Sequence, residues 1–242
     1  NCNKKNHINK IQIKDLSFYY ETKKVLNKFN LQIEGPGLYS IVGLNGVGKS
    51  TLLKVLLYLY EYDDGNIWIN NKKINILSLY EYREMISYIP KQPFLLNSSI
   101  EYNLTLGKKI DKKIIEHVCK QVGLYEFIRE QDQGYETVIG ENGIFLSSGT
   151  KQKISIVRAA LKDSTLWLCD EITSDLDGKV ETEVMDYLKK LSREKIIIMV
   201  SHKLSSIEKS DKIFVMNRGR IISEGTNSEL MEKDLLYRQM FH

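Results

Sequence analysis

The stretch Gly43-Leu44-Asn45-Gly46-Val47-Gly48-Lys49-Ser50-Thr51 fits the pattern G-x-x-x-x-G-K-S/T. Glycines at these positions let the backbone curl until its N–H groups point inward at phosphate oxygens. A helix that begins directly afterwards adds the positive end of its dipole. Lys49 then reaches the terminal phosphates of a nucleotide, and the Ser50 hydroxyl is placed to touch Mg²⁺. Groups suited to the same chemistry come far along the chain. Asp170 and Glu171 follow the apolar run Leu166-Trp167-Leu168-Cys169. Asp170 suits an outer contact to Mg²⁺, and Glu171 suits a general base or a water-orienting carboxylate. His202 follows a second apolar run, Ile196 to Val200, at another strand end.

These side chains need rigid elements to hold them. Leu38 to Val42 reads as a buried strand before the loop. Leu52, Leu53, Val55, Leu56, Leu57 and Leu59 read as a largely buried helix after it. Carboxylates at the end of an apolar strand lie where open α/β sheets bind ligands. Residues 11 to 34 read as strands, and Gly35-Pro36-Gly37 turns the chain into the loop strand. Asp63-Asp64-Gly65 reads as a turn into a short strand, Asn66 to Ile69, with Asn70-Asn71 as a hairpin turn. A short helix capped by Ser78, with Glu81 at capping-box distance, precedes a strand at Ile86 to Ile89. Residues 97 to 161 lack strand alternation and give helical stretches near 99–104, 112–122 and 150–161. An amphipathic helix from about Val180 to Leu191, a C-terminal hairpin joined at Arg218-Gly219 and a polar helical tail complete the chain. The reading is a single α/β domain over 1–242. Residues 1–96 and 162–242 form a P-loop core with a mixed or antiparallel β-subdomain, and 97–161 form an inserted helical subdomain.

Tyr19 and Tyr20 leave two readings open, an aromatic face that stacks on a purine or a strand aromatic in the core. Ser147-Ser148-Gly149-Thr150, taken alone, is a helix N-cap.

Composition excludes several classes. The chain has 242 residues, 42% hydrophobic and 27% charged, with net charge +4. That balance is ordinary for a soluble globular chain and too mild to argue for nucleic acid. The basic lead-in with Lys4, Lys5, Lys10 and Lys14 reads as solvated. No run approaches the ~18 apolar residues of a membrane helix, and no signal peptide pattern opens the chain. Asn1 is not Met, which reads as a domain cut from a longer chain. Cys2, Cys119 and Cys169 are scattered, which fits a reduced setting; Cys169 reads as a small core residue.

In order along the chain, these motifs resemble the nucleotide-binding domain of ABC transporters, from about residue 9 to the end. The resemblance implies the ABC ATPase fold, ATP and Mg²⁺ as ligands, and hydrolysis coupled to transport. It assigns Tyr20 to adenine stacking, Gly43 to Thr51 (with Asn45, Gly46, Val47, Gly48, Lys49, Ser50 and Thr51 at the phosphates) to the Walker A loop, and Asp170 and Glu171 to Walker B and the catalytic carboxylate. Ser174 to Asp177, with Asp175 and Asp177, match its D-loop, and His202 its switch histidine. Ser147, Ser148, Gly149 and Thr150 fall at its signature, which serves the ATP of a partner domain. Thr137-Val138-Ile139-Gly140-Glu141-Asn142-Gly143 resembles a loop of the exporter subgroup. The implied setting is the cytoplasmic face of a membrane, beside a transmembrane domain and a second ATPase domain, with no nucleic acid. A peptide or bacteriocin exporter is one reasonable member. The rivals are a non-transport ABC ATPase and a regulatory ATP-binding module with little turnover.

Two departures stand out. The signature reads LSSGT where the family usually has LSGGQ. Lys91 falls where the family has a Gln that offers a carbonyl oxygen to Mg²⁺; an ammonium has no acceptor and repels the ion. Either Gln92 takes that role through a shifted loop, the reading preferred here, or the site is altered. A retained Glu171 and His202 beside an unusual signature is similar to one half of heterodimeric exporters, so a non-identical partner is expected, with a homodimer as its rival.

Overall fold

The computed structural model describes residues 7–241. The readings for Cys2, Lys4 and Lys5 lie outside the described residues. In chain order, strands β1 (Lys10–Tyr20), β2 (Lys23–Glu34) and β3 (Gly37–Val42) lead into helix α1 (Lys49–Leu56). Strands β4 (Asp64–Ile69) and β5 (Lys72–Lys73), helix α2 (Leu79–Glu84) and strand β6 (Ile86–Ile89) follow. Four helices come next: α3 (Ile100–Thr105), α4 (Lys112–Val122), α5 (Tyr125–Arg129) and α6 (Ser148–Lys162). The chain then returns through β7 (Leu166–Asp170), α7 (Gly178–Leu191), β8 (Ile196–Val200), α8 (Leu204–Ile207), β9 (Lys212–Asn217) and β10 (Arg220–Gly225). Helices α9 (Asn227–Lys233) and α10 (Leu235–Phe241) end it.

The strands form two sheets. One has the order β2-β1-β4-β5 and is antiparallel throughout. The other has the order β10-β9-β3-β8-β7-β6, parallel except for its β10 edge. Its central strands β3, β7 and β8 are buried along their whole length. Parallel strands covered on both faces are apolar without interruption, which is why these runs show no alternation in the sequence. Alternation returns in the packing, because successive side chains leave opposite faces. Leu166, Leu168, Ile196, Ile198 and Val200 join a core with α1 and the antiparallel sheet. Trp167, Cys169, Ile197 and Met199 join the opposite core, with α4, α6 and α7. This is the α/β architecture expected from the motifs, with its helical insertion between β6 and β7.

Local signals explain most boundaries. Asn70 and Asn71 both have positive φ, 50° and 65°, the conformation of a tight hairpin turn that asparagine tolerates. Ser78 accepts from the Glu81 amide and starts α2. Asp111, Ser147, Asp177 and Thr226 cap α4, α6, α7 and α9 in the same way. Several features differ from the sequence reading: α1 ends at Leu56, so Leu59 stands outside it and exposed, and the short helix α8 had no signal in the sequence. Gly65 lies inside β4 rather than in a turn before it. It crosses a bulge of β1, where a Cβ would stand 2.6 Å from the Asp15 carbonyl, so glycine is what the crossing admits. The short helix α5 was not expected; Leu124 precedes it without a side-chain cap, so the sequence carries no start signal.

Candidate active site

The phosphate-loop residues and both strand-end groups meet because of strand register. β3 lies between β8 and β9, and β7 lies between β8 and β6. Ile89 pairs with Cys169, and Asp170 pairs with Val200. Continued past the strand ends, the same offsets set residue 91 beside residue 171, and residue 171 beside residue 201. Lys91, Glu171 and His202 therefore emerge together at the C-terminal edge of the sheet, next to the loop that leaves β3. Pro90 has no N–H to extend the ladder, and its carbonyl accepts from the buried Gln152 of α6 at 3.3 Å.

The loop itself is tightly constrained. Gly48 has φ 107° and stands against Val25 and Met216; an added Cβ would lie 3.1 Å from the Val25 carbonyl oxygen. As the N-cap of α1 it offers no side-chain acceptor, so the first N–H groups of the helix have no side-chain cap. Such a terminus favours an anion. Lys49 is only 5% exposed. Its ammonium donates to the carbonyls of Gly43 at 2.7 Å and Leu44 at 2.9 Å. Burial pulls its pKa below the ordinary lysine range, and the charges of Glu171 and Asp170 oppose that fall.

Asp170 is buried and accepts twice. Ser50 Oγ donates to Oδ1 at 2.9 Å, and the Tyr88 phenol donates to Oδ2 at 3.2 Å. Burial, then the neighbouring Asp170 charge, pushes the Tyr88 hydroxyl well up, so it stays a donor. Glu171 has the left-handed φ of 48°, and its N–H donates to the Val200 carbonyl at 2.9 Å. Lys91 Nζ donates to Glu171 Oε2 at 2.7 Å, and His202 Nε2 meets Oε1 at 2.9 Å. Burial alone would raise the Glu171 pKa; the hydrogen bond from Lys91 and the charges of His202, Lys91 and Lys49 bring it below the ordinary value. Burial and the Lys49 charge lower the His202 pKa.

A cleft of about 280 Å³ opens here, lined by Tyr20, Lys23, Asn45, Lys49, Ser50 and Glu171, among others. Tyr20 is 39% exposed on it. Its ring meets Phe18 edge-on at 4.9 Å and Tyr60 at 5.6 Å. Of this aromatic pair, Tyr20 lines the cleft, whereas Tyr19 lies under the Lys24 ammonium, 5.0 Å from its ring centroid.

The fit of a Mg²⁺ ion rests on Ser50 and Asp170. Such an ion takes one or two protein oxygens and fills the rest of its octahedron with phosphate and water. A hydroxyl and a carboxylate oxygen 2.9 Å apart, at the edge of the phosphate loop, suit it. No group of three or more His, Cys, Asp and Glu side chains among the described residues could hold a metal alone. Gln92 is exposed and, with Lys91, Phe94, Ser148 and Asp175, lines a second cleft of about 500 Å³. Lys91, not Gln92, is the residue that reaches Glu171.

The structure does not bring the signature residues to the first cleft. Ser147 caps α6, accepting from the Thr150 N–H at 3.1 Å and pairing with the Thr150 hydroxyl at 2.9 Å. The Ser148 hydroxyl donates to the Asp175 carbonyl at 2.7 Å, a bond glycine could not make. Gly149 packs on Val180, 3.2 Å from where a Cβ would be. Asp177 spends its carboxylate on the Lys179 and Val180 amides of α7.

Sequence reasoning missed several groups. Tyr60 and Tyr88 gave no signal, since an aromatic in or beside a strand is ordinary. Nor did Glu181. It is 7% exposed and accepts from Ser205, Ser206 and Lys203 at 2.5, 2.8 and 3.0 Å. Lys203 also donates to the Leu176 carbonyl at 3.0 Å, and Ser206 pairs with Thr173 at 2.9 Å. These bonds fasten the segment after His202 to the loop after Glu171. The partners lie far apart in sequence, beyond any local spacing rule.

Comparison with known proteins agrees with this geometry. The family model described as ABC transporter matches residues 26–174. An ATP-dependent lipid A-core flippase of Hahella chejuensis is 37% identical over 232 residues, covering 94% of this chain and 40% of that protein. The flippase of the same name from Nitrosococcus oceani is 35% identical over 235 residues, covering 96% and 39%. Among solved structures, a bacterial Atm1-family ABC exporter with ATP bound superposes with a TM-score of 0.92 at 28% identity, covering 96% of this chain and 41% of that one. The chain thus spans about two fifths of the length of these relatives. No helix among the described residues is long and apolar enough to cross a membrane.

Proposed function

Because the chain belongs to the ABC transporter family as its ATP-binding domain, we propose that it binds and hydrolyses Mg·ATP to drive export across a membrane. The observation that carries this reading is the placement of Glu171, at the end of β7, on the cleft that Lys49 and Ser50 line. In this reading Tyr20 stacks on adenine, and the loop from Asn45 to Thr51 cradles the phosphates. Lys49 exchanges its two carbonyl partners for phosphate oxygens. Ser50 and Asp170 hold Mg²⁺, which when bound neutralises developing charge on the phosphates. Glu171 accepts a proton from the attacking water or orients it, and His202 steadies the carboxylate and the terminal phosphate.

The signature residues do not line this cleft, and in this reading they serve a second ATPase domain. Ser147 and Gly149, at the start of α6, offer donors to the partner's ATP, and the helices between β6 and β7 act as a lever that closes when ATP is bound. The exposed Phe94 loop passes that motion to a transmembrane domain at the cytoplasmic face. The partner is a non-identical domain. What favours this is the pairing of retained Glu171 and His202 with an altered signature, in which Ser148 is tied to Asp175. Cargo is read by the part of such exporters that this chain does not span; the flippase relatives favour a lipid over a peptide.

The test is Mg·ATP binding and hydrolysis against protein concentration, for the chain as it stands and for Glu171→Gln. The substitution is expected to cut turnover by about 10²–10⁴ and to leave ATP binding intact. A low specific rate that does not change with concentration fits a lone half awaiting an unlike partner, and failure to bind Mg·ATP would overturn the reading. A specific rate that climbs with concentration would mean self-pairing and would overturn the unlike partner.

A further inference from the structure

We propose that Lys91 is a latch on Glu171: it pins the carboxylate while the site is empty, and it must let go before Glu171 can serve hydrolysis. The inference rests on the proposed ATPase reading and deepens it.

The latch follows from register. β6 and β7 run parallel with a fixed offset, so the second residue beyond Ile89 meets the second beyond Cys169. Those residues are Lys91 and Glu171, and their side chains meet at 2.7 Å. Glu171 has little freedom of its own. Its left-handed backbone is tied to Val200, and His202 holds its other oxygen at 2.9 Å. With one donor on each oxygen the carboxylate is fixed from both sides. An ammonium against one oxygen also drains the negative charge that a water-activating carboxylate needs. The latch is nevertheless weak enough to open. Lys91 is 45% exposed and Glu171 20%, and ion pairs that solvent reaches are held loosely. A means of opening it lies next door. The Pro90 carbonyl, one residue before Lys91, is held by Gln152 on α6. A shift of α6 relative to the sheet therefore pulls on the segment that carries the ammonium.

Zero-length cross-linking with a water-soluble carbodiimide tests this directly, because it joins an amine to a carboxylate only where the two touch. Mass spectrometry of the digested chain should find a Lys91–Glu171 link in nucleotide-free protein. That link should fall at least several-fold when Mg²⁺ and β,γ-imido-ATP are added. In parallel, Lys91→Gln should raise kcat for ATP about fivefold with KM unchanged. A change in folding alone would not split the two constants in that way. Absence of the link, a link of the same yield with nucleotide bound, or, where the unaltered chain turns ATP over, a Lys91→Gln kcat equal to or below its value would overturn the latch. If the link behaves as expected while neither protein turns over bound ATP, the hydrolysis reading fails and the latch on the carboxylate stands.

Discussion

In the proposed reading, the Tyr20 ring holds the base of the nucleotide. Tyr20 lines the cleft and is braced at right angles by Phe18 and Tyr60, so its ring is held in place before a ligand arrives. Stacking of a base on an aromatic ring is worth about 1–3 kcal/mol. Tyr20→Ala should therefore weaken ATP binding roughly 5–150-fold, with inorganic triphosphate binding unchanged and Tyr20→Phe close to the original; titration calorimetry checks all three. An equal loss for ATP and triphosphate would place Tyr20 in folding rather than in base recognition. At this scale the sequence was legible wherever chemistry is local. The glycine loop, Ser50, the Asp170-Glu171 pair and the capping serines could all be named from spacing. The contact of Lys91 with Glu171 could not. It depends on which strand lies beside β7, and pairing across a parallel sheet leaves no mark in spacing along the chain.

At the scale of elements, the α7–α8 connection holds the catalytic edge together. Glu181 projects from α7 into a pocket made by Lys203 and α8, and it is matched by three donors. Burial would raise its pKa, but the bonds from Ser205, Ser206 and Lys203 lower it below the ordinary value. The sign of the pH effect follows. A carboxyl with a depressed folded pKa stabilises the protein fully above its unfolded value, about 4.3, and that contribution is lost as pH falls through the folded value. Glu181→Gln should thus be less stable than the unaltered chain near pH 7, and the gap should shrink below about pH 4.3. Denaturant titrations at several pH values check it; a gap independent of pH would mean that shape, not charge, is what Glu181 supplies. Most elements were readable from the sequence because caps and turns announced them, as Ser78, Ser147 and Asn70-Asn71 did. The exceptions had physical causes. Helix α5 has no capping side chain, and Gly65 looks like a turn residue until β1 is laid across it.

At the scale of the whole molecule, ligand and fold are linked. The cleft draws residues from β1, β2, the loop after β3, α1 and the end of β7, so nucleotide bound there ties both sheets together. Binding to the folded state alone at a hundredfold excess over Kd stabilises by about 2.7 kcal/mol. For a domain of this size the midpoint of thermal unfolding should rise by roughly 5–10 °C. Glu171→Gln protein with Mg·ATP is the sample to use, since the nucleotide is not consumed; no shift in calorimetry would mean that the cleft does not take ATP. The α/β class was legible here because uninterrupted apolar runs alternate with helices, and a separate β-subdomain was legible too, whereas the order and pairing of its strands were not, since β1 pairs with both β2 and the later β4.

The order of the large sheet also bears on how the chain is made. Strand β3, which delivers the phosphate loop, has β8 and β9 as neighbours, and both lie near the far end of the sequence. During synthesis at about 5–20 residues per second, β3 waits roughly 8–30 s before β8 exists to pair with it. Over that interval an apolar strand stands with two open edges, the state most exposed to wrong partners. A chain stalled before Ile196 already contains every phosphate-loop residue and lacks the neighbours that shape the loop, so the loop takes its form only after β8 and β9 have been made.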